Sequence, residues 1–104
     1  MPEFERCSYL TKDRSLDIDF VFMNCGNEIG WRIYIITSID YKTRSHRSVD
    51  AHWLKDTNET YPYICWSEKI ESLQAAKEVA ALWSDCTAYY IQHGGNFQTI
   101  ASRI

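Results

Sequence analysis

The sequence predicts an α+β fold, an antiparallel sheet of about four strands followed by one long amphipathic helix packed on one sheet face. Three observations carry this. Short runs over the first two-thirds of the chain alternate apolar and polar residues with the period of a strand. Clusters of Gly, Asn, Asp and Thr separate those runs. From Ser72 onward the apolar period becomes that of a helix. Strands first and a helix afterwards is the order of a two-layer α+β domain.

The first predicted strand is Asp17 to Met23, "DIDFVFM", in which Ile18, Phe20 and Phe22 alternate with Asp17, Asp19 and Val21. "NCGNEIG" then supplies turn chemistry before "WRIYIITSI", Trp31 to Ile39, the strongest β segment. Trp31, Ile33, Ile35 and Ile39 share one face of it. The other face is only partly polar, the pattern of a central strand. "VDAHWL", Val49 to Leu54, reads as a third extended run and "YPYICW", Tyr61 to Trp66, as a fourth. Pro62 cannot donate to a ladder, so it belongs at a strand start or on an edge.

Ser72 is the expected N-cap of a helix running to about His93, with Gly94 and Gly95 as its stop. Ala76, Val79, Ala80, Trp83, Cys86, Thr87 and Tyr90 share one face, and Gln74, Lys77, Glu78, Ser84, Asp85 and Gln92 the other. Leu73, Leu82, Tyr89 and Ile91 widen the apolar arc beyond one narrow contact. The tail residues Phe97, Ile100 and Ile104 are expected to cover one flank, and a second subunit the other, so that Leu82 and Tyr89 become candidate interface residues of a homodimer.

At 104 residues the chain fits a single domain, 1–104, and its 45% apolar and 14% aromatic content is too rich for a disordered segment. Acids in "MPEFERCSYL" stand where a secretory signal needs cations, and no run approaches the roughly 18 apolar residues of a membrane span. The expectation is a soluble cytoplasmic protein with no membrane contact. Cys7, Cys25, Cys65 and Cys86 are then expected as reduced thiols, Cys65 and Cys86 behaving as small hydrophobes within apolar patterns.

The formal charge is −3; setting aside Lys42, Arg44 and Arg47 leaves −6 on the rest. That balance disfavours a whole-surface nucleic-acid binder. A single patch remains, "YKTRSHRS", Tyr41 to Ser48. Lys42, Arg44, His46 and Arg47 alternate there with hydroxyl residues, and Tyr41 and Trp53 flank them as stacking aromatics. Cations beside aromatics suit a single-stranded nucleic acid. The same composition suits a solvated connection or a contact for an acidic protein surface.

Other chemistries have less support. His46, His52, His93 and the four cysteines lack any zinc-binding spacing. Asp17, Asp19 and Asp40 loosely resemble the acidic residues of metal-dependent nucleases, but alternating acids are ordinary on an exposed strand face. Cys25 lies in a Gly-rich turn with no nucleophile elbow. The sequence therefore assigns no catalytic residue, no cofactor and no metal.

"GWRIYI", "YICW" and "AAKEVAALWSDCTAYYIQHGGNF" together resemble a pattern in small bacterial proteins of plasmids and phages. The resemblance covers about the last two-thirds of the chain. It implies an accessory or counter-defence role exercised by binding, and no particular catalytic residue. The strand-then-helix order is also similar to the PC4-like single-strand-binding fold, although here the charge is negative and the cations occupy one loop. The leading expectation is a non-enzymatic protein that binds another protein. Single-strand binding through loop 41–48 comes second and an enzyme third.

Overall fold

A computed structural model describes residues 4–103. Five antiparallel strands form one sheet in the order β1-β2-β3-β5-β4: β1 Phe4–Leu10, β2 Asp17–Asn24, β3 Trp31–Ile35, β4 Trp53–Leu54 and β5 Tyr63–Ile64. A single turn, α1 Ser48–Ala51, precedes β4. The long helix α2, Leu73–His93, lies across one face, and α3, Phe97–Arg103, packs back on α2.

The core follows from the alternation. Ile18, Phe20 and Phe22 of β2 and Ile33 and Ile35 of β3 point to α2, which returns Ala76, Val79, Ala80, Trp83, Cys86 and Tyr90. Trp83 is 2% exposed, meets Phe20 edge to face, and donates its indole N–H to the His52 carbonyl at 3.1 Å. That bond makes the burial of a polar-tipped aromatic affordable. Ser72 caps α2 by accepting the Ala75 N–H at 3.1 Å, and Gly94, at φ 72°, ends it. Gly30 takes φ 81° where β3 begins, packed so closely on the Ile70 carbonyl that a Cβ would collide with it.

Several expectations are corrected. β1 is a fifth strand, paired along its whole length with β2 from Phe4↔Met23 to Leu10↔Asp17. Its polar and apolar residues are mixed on both faces because it is an edge, so no clean alternation marks it. "VDAHWL" is not one strand: Asp50 and Ala51 both donate to the Arg47 carbonyl, closing a helical turn that His52 ends at φ 57°. Only Trp53–Leu54 is extended. β3 stops at Ile35, and the fourth expected strand shrinks to Tyr63–Ile64. Pro62 stands immediately before β5, at the expected strand start.

The helix spans the expected residues, but its polar face is narrower than the wheel implies. Ser84 is buried and donates to the Ala80 carbonyl at 2.7 Å. Asp85 is half-buried because Tyr9 of β1 and the Lys12 N–H both donate to it. Phe97 and Ile100 cover one flank as expected, while Ile104 lies outside the described residues. Cys86 is buried, but Cys65 is exposed because the chain leaves the sheet after Ile64. The sheet's other face carries no helix among the described residues.

Candidate functional site

The loop of cations is folded onto the end of α2. Tyr41 is buried, its ring edge-on to Tyr90, and burial pushes its phenol up to about 12, so it stays neutral. Arg44 donates from Nε to the Ile91 carbonyl and from a terminal nitrogen to the Gln92 carbonyl, both at 3.2 Å. A cation on the last carbonyls of a helix satisfies unpaired acceptors and opposes the macrodipole. Tyr90 donates its hydroxyl to the Ser45 carbonyl at 2.9 Å, and Ser45 donates to Asp50 at 2.6 Å. The Trp53 indole donates to the His46 carbonyl at 3.1 Å.

The loop's candidate residues therefore divide. Tyr41 and Arg44 are committed to packing and capping. Lys42, His46 and Arg47 are exposed, and Trp53 is half-buried. Of the two helix candidates, Leu82 is half-buried against the core, and Tyr89, 48% exposed, lies over His93 with ring centres 4.4 Å apart.

What the structure adds is a cleft beside this loop. β3 and β5 pair at Tyr34↔Tyr63, and Ile35 donates to the Pro62 carbonyl at 2.8 Å. Pro62 has no N–H to return, so the ladder is one-sided at this rung. The next residue, Ile36, donates to Asp19 of β2 instead, and the Thr37 hydroxyl accepts the Asp19 N–H. Continuing the register would set Thr37 opposite Thr60. Among the described residues no main-chain hydrogen bond joins segment 37–39 to segment 60–61.

The two segments part around a cleft of about 410 Å³. Ile35 to Ile39 form one wall and Thr60, Tyr61 and Pro62 the other, with Tyr41, His46 and Trp53 closing the end nearest the loop. A second hollow of about 410 Å³ shares Ile36, Thr60 and Tyr61 with the first and continues over Val21, Met23 and Tyr34 on the helix-free sheet face. Together they make an apolar trough around Tyr61, which is itself exposed. At the far end Arg32 pairs with Asp56 at 3.0 Å and stacks on the Tyr63 ring at 4.3 Å, while Tyr34 donates to Glu59 at 2.8 Å. One cation faces two carboxylates there, so this end is net acidic.

Sequence reasoning pointed to Tyr41, His46 and Trp53, which line the cleft, and missed Ile36 to Ile39 and Thr60 to Tyr61. A signal was present. "IYII" is apolar on both faces although no element follows to cover the second, and Pro62 marks where the neighbouring strand stops donating.

Two other hollows have different characters. One of about 240 Å³ between β5 and the helices brings His52, Cys65 and Cys86 to a common lining. The His52 ring stacks on Phe97 at 4.7 Å, and burial pushes the Cys86 thiol up to about 11, keeping it protonated. One of about 300 Å³ holds Asp13, Asp85 and His93. Both its carboxylates are engaged: Gln92 donates to Asp13 at 2.6 Å, and Tyr9 to Asp85 at 2.9 Å. Among the described residues no three His, Cys, Asp or Glu side chains gather as a metal site, and no helix is long and apolar enough to cross a membrane.

Comparison of the chain with protein-family models, curated proteins and solved structures finds no match.

Proposed function

We propose that the chain is a non-enzymatic binding protein that engages another protein through the trough around Tyr61. The observation that supports this reading most is the parted pair of segments 37–39 and 60–61. An apolar surface is combined there with main-chain N–H groups that donate to no main-chain carbonyl among the described residues. Aromatic and aliphatic side chains set in a concavity with a polar rim are the usual anchors of a protein interface. An accessory role of this kind is also what the sequence's resemblance to small plasmid and phage proteins implies.

Single-strand binding is less favoured because two of its expected contributors are otherwise engaged. Arg44 caps α2, and Tyr41 is buried beneath the loop. Lys42 and Arg47 then remain as the loop's exposed full cations on an acidic chain.

The test is capture from lysate of the source organism, with and without nuclease, using the wild type and a Ser38→Trp variant that fills the cleft. The reading predicts a protein retained after nuclease and lost with Ser38→Trp. Capture that disappears with nuclease would transfer the function to nucleic acid.

A further inference from the structure

Resting on that reading, we infer the chemistry of the partner: an extended peptide segment, apolar over two or three residues and acidic beyond them, that docks by adding a strand along Thr37 to Ile39.

The backbone argues for an extended ligand. Ile35 donates toward β5 and Ile36 toward β2, as alternation in a strand requires. The chain bends at Thr37, which would be next in that alternation, and its N–H donates to no main-chain carbonyl among the described residues. Among the described residues Ser38 and Ile39 on one wall, and Thr60 and Tyr61 on the other, likewise donate no main-chain hydrogen bond. Main-chain groups left open along an apolar trough are the receiving half of strand addition: the backbone supplies affinity and alternate side chains supply selectivity. A compact ligand would leave those donors dry and unpaired, which costs free energy.

The charge argues for the acidic end. His46 and Tyr41 close one end of the cleft, and Lys42 and Arg47 adjoin them in sequence. Nearby Asp40, exposed, and Asp50, half-buried, accept the Lys42 N–H at 2.8 Å and the Ser45 hydroxyl at 2.6 Å, and the three full cations Lys42, Arg44 and Arg47 outnumber these two acids. On a chain whose remaining charge is negative, this end is where an acidic segment meets complementary potential. At the opposite end Arg32 is already shared between Asp56 and Glu59. The trough therefore gives the peptide a direction.

The test is a displayed random heptapeptide library, selected on the wild type, on Ser38→Trp, and on the double variant Lys42→Glu/Arg47→Glu, with equal melting temperatures checked first. Thr60→Arg replaces Ser38→Trp if that variant does not fold. The inference predicts sequences joining apolar residues to Asp or Glu, weakened about tenfold or more by filling the cleft or reversing the charge. Reselection on the reversed variant should turn the acidic positions basic. N-methylation of a selected peptide should abolish binding at alternate positions only, as one edge of a strand requires.

Cleft-dependent peptides indifferent to charge reversal and to N-methylation would overturn this inference and leave the protein-binding reading intact. If no selected peptide is sensitive to Ser38→Trp or Thr60→Arg, the cleft itself is not a protein-binding site, and both fall.

Discussion

The Nε of Arg44 lies 3.2 Å from the carbonyl oxygen of Ile91, so a loop cation closes the open end of a 21-residue helix 47 positions further along the chain. Gly94 leaves room for it: a Cβ there would come within 3.0 Å of the Arg44 guanidinium. The sequence's most basic segment is thus partly a structural device. Arg44→Ala is expected to lose about 1 to 2 kcal/mol of stability, since hydrogen bonds from a charged donor exceed the neutral average but solvent reaches this one. Arg44→Lys should recover only part, because an ammonium lacks the planar fork. Arg47→Ala, at an exposed position, should stay within about 0.5 kcal/mol. Urea melts of the three variants decide the matter, and equal effects at Arg44 and Arg47 would contradict the cap.

Trp83→Ala is expected to cost about 3 to 5 kcal/mol, the usual range for truncating a buried aromatic. Beyond the cavity against Phe20, it strips the His52 carbonyl of its donor. Trp83→Phe should cost less, restoring most of the volume but not the bond. A loss under about 1 kcal/mol for Trp83→Ala would mean that α2 does not dock on this face.

Acid sensitivity should have a contribution from Asp13. The Ser15 N–H first, then the Ser15 and Thr11 hydroxyls, hold its carboxyl down at about 2. A carboxyl lowered in the folded state stabilises fully above its unfolded value near 4 and loses that contribution as pH falls toward 2. Asp13→Asn should therefore flatten the stability curve between about pH 4 and 2 and leave the slope above pH 5 unchanged. Lys77 also lowers Glu5, so the difference between variant and wild type isolates Asp13. Denaturant melts across this range measure it, and parallel curves would contradict the turn geometry.

How much of this was legible depended on whether local pattern or long-range pairing decided the structure. The helix was, because Ser72, the glycines and a strict apolar face are local signals. β2 and the start of β3 were, because Ile18, Phe20, Phe22, Ile33 and Ile35 alternate cleanly. β1 was not: an edge strand buries one face only in part, and Tyr9 and Cys7 gain their burial from α2, far along the chain. The turn at Ser48–Ala51 was hidden because "VDAHWL" is compatible with either period over so short a run. Of the candidate site, the residues at the loop end were found by composition. The walls at 36–39 and 60–61 were not, since a cleft between parted strands exists only once the register is known. The wide arc on α2 that suggested a dimer is largely occupied within the chain, by α3 and by the packing of Leu73, Leu82 and Ile91, which leaves Tyr89 as its exposed member.

Segment 37–39 is the proposed receiver of an extended peptide. The most direct measurement is amide hydrogen exchange by NMR, free and with a saturating peptide selected on the cleft. Thr37, Ser38 and Ile39 should exchange rapidly in the free protein, and about every second amide of the segment should gain protection on binding, as strand pairing alternates. Protection confined to residues 41–48, or to α2, would contradict strand addition and move the site elsewhere.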